Sequence, residues 1–278
     1  MNNICYLNGE YLHLEDAKIS ALDRGFIFGE GVYEVILVSG GRAFALSEHL
    51  ERLDSSLHDL GIANPLKKND WNRVIENIVS LNNGGELVIY VQITRGASPR
   101  RHEFPTDNHP TIFMMANPSD YEESLQKVKA VTADDNRWKR CHIKTTSLYA
   151  NTRLRNFAKK KGAQECILKS DGFVTEGASS NIFVVSDDNC IRTPPLSSNI
   201  LPGVTRSIIC DLASNMDLVV LEEEISEQSL KAAKELWLTN TTNGIRCVFE
   251  LDEKIIGNGT NYPVATMVHD SLSLEKRR

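Results

Sequence analysis

The chain has 278 residues, a formal net charge of −6, and 41% hydrophobic against 24% charged residues. That balance excludes a disordered or fibrous chain, and the acidic charge argues against a dedicated nucleic-acid binder, which carries a basic face. No run approaches the ~18 apolar residues that a membrane helix needs. Residues 4–7 and 10–12, joined by Asn8-Gly9, read as a hairpin, because that dipeptide supplies the positive φ its turn demands. A strand follows over 31–38, up to Gly40-Gly41. Residues 47–60 predict a helix with Ser47 as N-cap and Leu50, Leu53, Leu57 and Leu60 on one face. The same period over 71–81 predicts another. The β-branched runs 86–94 and 111–116 predict strands.

The stretch 117–120 (NPSD) is the best linker candidate, polar and turn-prone. Beyond it, 128–132, 142–145, 166–168 and 181–185 predict strands, with a helix over 152–161 between them. A helix over 203–214 opens behind Pro202. A short helix over 226–233, a strand over 235–239 and a last helix over 263–275 follow. The picture is two α+β halves joined near residue 120. Cysteines 5, 141, 166, 190, 210 and 247 form no CxxC pair and predict reduced, mostly buried thiols in a cytoplasmic protein, with no structural metal. The N-terminus lacks the basic-then-apolar order of a secretory signal.

Several segments carry candidate chemistry. Lys144 follows apolar Ile143 on an expected strand; desolvation there would lower its pKa and make it a nucleophile or Schiff-base former, whereas the ordinary reading is an exposed strand lysine. The motif TEGASSN (175–181) places a carboxylate before small hydroxyl residues at a turn, either a cradle for a heterocycle and an anion or a plain hairpin turn. The start of the helix behind LPGVTR (201–206) offers free N–H groups and the Thr205 hydroxyl to an anion, as helix starts generally do. TNTTNG (239–244) is again rich in small donors. Arg52 lies on the helical face away from the leucines, either a phosphate ligand or a solvated surface arginine. The loop TRGASPRRHEFP (94–105) holds three arginines and a histidine, a natural trap for a carboxylate or a solvated loop; it has no aromatic platform for nucleic acid. Walker, GxGxxG and HExxH motifs are absent, and Cys141 and His142 are adjacent on one expected strand, hence on opposite faces.

Taken together, these segments resemble the class IV (fold type IV) aminotransferases, most closely the bacterial D-amino-acid aminotransferases. The likeness runs from YLNG (6–9) to about residue 256. It rests on DRGFIFGEGVYEV (23–35), EHLERL (48–53), VQITRGASPRRHEFP (91–105), RWKRCHIK (137–144), TEGASSN (175–181) and ILPGVTR (200–206), in that order. The resemblance implies an α+β, two-domain fold: a smaller N-terminal α/β domain over 1–118, a linker at 119–123, and a larger C-terminal domain over 124–278, with the cofactor at the interface. It implies pyridoxal 5′-phosphate, held by Lys144 as a Schiff base, with Lys144 as the catalytic residue that shuttles the Cα proton. Glu176 would pair with the pyridine nitrogen, while Arg52, Ser180, Val204, Thr205, Asn240 and Thr241 complete the cofactor set. Tyr33, Arg100 and His102 would bind substrate, the last two reaching the neighbouring active site of a homodimer. Glu34 would stand near the lysine, and Arg137, seven residues before it, has a supporting role. Asn240 stands where the family usually has serine, and Ser147 where relatives often have asparagine. Tyr149, Asn151, Arg153 and Arg155 are more polar than in the D-amino-acid enzymes, and Tyr149 is a candidate pocket residue.

The activity implied is ping-pong transamination of D-amino acids, of the D-alanine or D-glutamate type, with 2-oxo acids. Aminodeoxychorismate lyase, a pyruvate-eliminating activity on the same fold, and branched-chain L-amino-acid transamination are the alternatives; the Arg100-x-His102 trap favours the first reading. A cofactor-binding protein without turnover would have no need of both Lys144 and Glu176.

Overall fold

A computed structural model describes residues 2–107 and 109–277. The chain divides into two compact units, Met1–Asp120 with Ile143–Ser147, and Tyr121–His142 with Leu148–Arg278.

The first unit contains β1 (Ile4–Leu7), β2 (Glu10–His13), α1 (Arg24–Phe28), β3 (Gly31–Ser39), β4 (Arg42–Ala43), α2 (Leu46–Asp59), α3 (Lys68–Leu81), β5 (Leu87–Thr94) and β6 (Thr111–Pro118). Its six strands form one sheet in the order β2-β1-β6-β5-β3-β4, antiparallel at every pairing. Asn8 and Gly9, at φ 50° and 106°, make the tight turn between β1 and β2. Leu50, Leu53 and Leu57 of α2 and Trp71, Val74, Ile75 and Ile78 of α3 cover Val32, Ile36, Ile89, Val91, Ile93 and Met114 of the sheet. Each such side chain taken out of water stabilises the unit by ~1.5–3 kcal/mol.

The second unit contains β7 (Gln126–Asp134), α4 (Tyr149–Lys160), β8 (Glu165–Ser170), β9 (Phe173–Gly177), β10 (Asn181–Val185), β11 (Ile191–Thr193), α5 (Val204–Asn215), β12 (Val220–Glu222), α6 (Glu227–Lys231), β13 (Glu235–Asn240), β14 (Gly244–Leu251), β15 (Lys254–Ile255) and α7 (Pro263–Arg277). Its mixed sheet runs β12-β11-β10-β13-β14-β7-β8-β9, with β15 on β14. One core gathers Val128, Ile167, Ile182, Val184, Leu236, Leu238 and Val248; a smaller one packs Leu154 and Ala158 of α4 on Cys166 and Leu168. Among the described residues no helix is long and apolar enough to cross a membrane.

Four local expectations need correction. Helix α2 begins at Leu46 behind Ala45, whose φ is 51°, so Ser47 is inside the helix and not its cap; the Phe44 N–H, bonded to the Leu37 carbonyl, brings the chain into the helix early. Residues 142–145 form no strand, only the single bridge Val32↔Thr145. That segment returns to the first unit because Tyr33 N–H donates to the Lys144 carbonyl and Thr146 N–H to the Gly31 carbonyl, both at 2.9 Å. A single junction at 119–123 therefore does not describe the division. The turn expected over 175–181 shrinks to 178–180, since β9 runs through Gly177.

Candidate functional site

In the first unit, β3 alternates Tyr33 and Glu34 between the two faces of the sheet. The Lys144 ammonium lies 4.3 Å from the centre of the Tyr33 ring, which stacks on Tyr90 at 5.8 Å. The Lys144 N–H donates to Ser56 Oγ on α2 at 3.2 Å. Glu34 is fully buried. Arg52 grips it at two points, Nε to Oε1 at 2.7 Å and a terminal nitrogen to Oε2 at 2.8 Å, and His49 Nδ1 meets Oε2 at 2.8 Å. Burial alone would raise the Glu34 carboxyl, but the Arg52 charge and the Arg52 and His49 bonds bring it down to about 2. Burial holds His49 below its ordinary value against the pull of Glu34, with the Arg52 and Lys144 charges adding to the effect. An ionised Glu34 only accepts, so His49 Nδ1 carries the proton of their bond.

Arg52 is thus buried beside the leucine seam and not solvated. His49, Arg52 and Ser56, spaced 3 and 4 apart and all buried, form a polar stripe along α2. That spacing was the signal for His49, which sequence reasoning missed.

The 94–105 loop divides its cations. Arg95 is taken into the fold, donating to Glu30 Oε2 at 2.7 Å and to the Leu60 and Gly61 carbonyls, with its guanidinium 3.8 Å over Phe104. Arg24 donates to Glu30 at 2.6 and 2.8 Å and to the Arg101 carbonyl at 2.7 Å. Arg100 and His102 remain exposed, both against the Phe28 ring, at 5.3 and 5.8 Å.

In the second unit, Glu176 is buried on β9. Arg137 donates to its Oε1 at 2.5 Å, and Asn181 and the Leu201 N–H donate to Oε2 at 3.2 and 3.1 Å. Arg137 also grips Asp135 at 2.9 and 2.7 Å, and Thr175 donates to Asp135 at 2.7 Å. Burial pushes the Glu176 carboxyl up to about 7, against the Arg137 charge and the Leu201 N–H; Asp135 nearby adds to the rise. Asn181 donates to the Leu201 carbonyl at 2.9 Å as well. It thereby ties Glu176 to the lead-in of α5, where Gly203 is the N-cap and Val204 and Thr205 are buried in the first turn. A side chain on Gly203 would overlap Asn181 Oδ1.

Thr239 is the register partner of Asn181, and its buried hydroxyl finds no hydrogen-bond partner among the described residues. Next to it, Asn240 donates to the Ser179 carbonyl at 3.2 Å and accepts from the Asn243 N–H at 2.9 Å. Ser180 donates to Glu165, and Thr241 is half-buried in the turn before β14. Tyr149 is exposed at the start of α4, and Asn151 donates to the Ala178 carbonyl at 2.9 Å.

The first unit thus gathers Tyr33, Arg52 and Lys144 with Glu34 and His49. The second links Glu176, Ser180, Val204, Thr205 and Asn240 through Asn181, Leu201 and Ser179. Asn181 closes the TEGASSN motif but was given no role of its own there, and Asp135 and Glu165 stand in no motif.

Residues 31–251 match the family model described as amino-transferase class IV. A D-alanine aminotransferase of Staphylococcus epidermidis is 36% identical over 264 residues, covering 91% of both chains. Another, of Bacillus licheniformis, is 34% identical over 95% of this chain and 94% of the relative. Among solved structures, the Escherichia coli branched-chain amino acid aminotransferase superposes with a TM-score of 0.91 at 25% identity, over 98% of this chain and 94% of that one.

Proposed function

Because the chain belongs to the class IV aminotransferase family, we propose that it moves the amino group of a D-amino acid, of the D-alanine or D-glutamate type, to a 2-oxo acid with pyridoxal 5′-phosphate as cofactor. The observation that carries the reading is the Lys144 amine, on a segment bonded to β3 and set against an aromatic ring. The donor sets fit the cofactor. An amine serves its aldehyde. A buried carboxyl drawn up to about 7 can share a proton with a ring nitrogen. The start of α5 with Thr205 suits a phosphate. When bound, the cofactor supplies a carbonyl that takes the amino group and a ring that accepts electrons from Cα.

Lys144 moves the proton to and from Cα, and proximity of this kind is worth ~7–11 kcal/mol. Glu176 keeps a proton on the ring nitrogen, and Arg137 and Asn181 orient Glu176. Thr205, Val204, Ser180, Asn240 and Thr241 hold the phosphate, with Arg52 adding charge. Tyr33 lines the substrate, and Arg100 and His102, exposed on their loop, bind the substrate carboxylate in a second copy of a homodimer. The D-side of the assignment rests on the relatives' names and on this loop. The enzyme acts in the cytoplasm, where its six free cysteines stay reduced.

A coupled assay on one preparation, with D-alanine, L-leucine and aminodeoxychorismate as substrates, tests the assignment. D-alanine should turn over fastest, and Lys144→Ala should lose both turnover and the visible band of the bound cofactor. Turnover of L-leucine alone would move the chain to the branched-chain activity of its structural neighbour.

A further inference from the structure

Glu165, the first residue of β8, is wholly buried and belongs to none of the motifs above. A carboxylate taken out of water must be compensated by donors. Its Oε1 accepts from the Cys166 N–H at 2.9 Å and faces Arg155 at 3.4 Å. Its Oε2 accepts from two neighbouring hydroxyls, Ser179 Oγ at 2.9 Å and Ser180 Oγ at 3.0 Å. Both serines lie in the turn 178–180, which leaves β9 just after Glu176 and enters β10 at Asn181. The turn is closed by Gly177 N–H to the Ser180 carbonyl at 2.6 Å, and Ala178 N–H donates to the Cys166 carbonyl at 2.8 Å. A side chain at Gly177 would overlap Ser180 Oγ and meet Glu165 Cγ at 3.3 Å, so the carboxylate is seated against bare backbone. The carbonyl of Ser179 in turn receives Asn240 Nδ2 at 3.2 Å.

We propose that Glu165 is a positioning residue for the phosphate end of the cofactor site: it accepts hydrogen bonds from both serine hydroxyls, fixes the 178–180 turn, and through the Ser179 carbonyl anchors Asn240. The inference rests on the reading given under Proposed function. The hydroxyls of Ser179 and Ser180 both donate to Glu165 Oε2 and are committed to it. The turn therefore offers an anion the N–H groups of Ser179 and Ser180, that of Ala178 being taken by the Cys166 carbonyl, and Ser180 acts through its main chain.

The test is titration of cofactor-stripped protein with pyridoxal 5′-phosphate for wild type, Glu165→Gln, Glu165→Ala and Ser179→Ala. Glu165→Ala should loosen the cofactor by about tenfold or more, the worth of one charge-assisted bond. Ser179→Ala should have a smaller effect, and Glu165→Gln, which keeps shape and one acceptor, should recover most of the loss. KM for the amino acid and kcat at saturating cofactor should move far less than the cofactor Kd, a split that mere loss of stability would not produce. An unchanged Kd in all three variants overturns the proposal, as does a parallel fall in kcat. Failure of Glu165→Gln and Ser179→Ala to fold also overturns it, because it makes the residue a structural post only. Wild-type protein that takes up no cofactor would instead overturn the functional reading, so the two failures are told apart.

Discussion

Two buried glutamates, one in each unit, both paired with arginine, end at opposite extremes. Glu34 is drawn down to about 2 and Glu176 pushed up to about 7. Burial pushes both upward, so the donors decide the difference. Glu34 receives the two-point grip of Arg52 and the Nδ1 proton of His49. Glu176 receives one nitrogen of Arg137, whose other contacts go to Asp135 and the Asn199 carbonyl, so much of that positive charge is already spent on a second carboxylate. An arginine beside a carboxylate is therefore no measure of the carboxylate's charge; what counts is how many anions share the cation. The first arrangement suits a permanent anion that holds α2 to β3. The second suits a group that exchanges a proton near neutrality.

Breaking the strong member gives the largest effect. Glu34→Ala leaves Arg52 and His49 buried without their anion and should destabilise the protein by about 3–5 kcal/mol in urea unfolding; a loss below about 1 kcal/mol would equate the two sites. The next effect is in acid. The folded pKa of Glu34 lies below its ordinary value of 4.5. Its contribution is then complete above about 4.5 and fades as pH falls through about 2, an effect of about 3 kcal/mol. Comparison of wild type with Glu34→Gln by acid titration of the circular dichroism should show that part of the limb missing. Glu176 leans the other way: its raised pKa favours the fold below about 4.5, and that contribution is lost as pH rises through about 7. The smallest effect sharpens the contrast. Asp135→Asn frees Arg137 for Glu176 alone and should lower the Glu176 midpoint by about one pH unit, read from its carboxyl infrared band. An unmoved midpoint would mean that burial alone sets it.

What was legible in the sequence was what depends on near neighbours. The Asn8-Gly9 turn, the leucine seam of α2 and the strand Asn181–Val185 follow from spacing and local backbone preference. Residues 142–145 read as a strand but form none, because the bonds holding the segment come from Gly31 and Tyr33, far away in the chain. The burial of His49, Arg52 and Ser56 was hidden because a polar stripe on a helix reads as a wetted face until a buried anion such as Glu34 is set against it. Asp135 and Glu165 gave no signal, since an acidic residue outside any motif has no period to betray its partners.

The return of residues 143–147 to the β3 edge bears on how the chain is made. All the strands of the N-terminal sheet lie ahead of Pro118 in the chain, so the sheet is complete in sequence before the segment that docks on β3 follows it. The segment is a late clasp, so every truncated product ending ahead of residue 143 is a scaffold without the Lys144 amine.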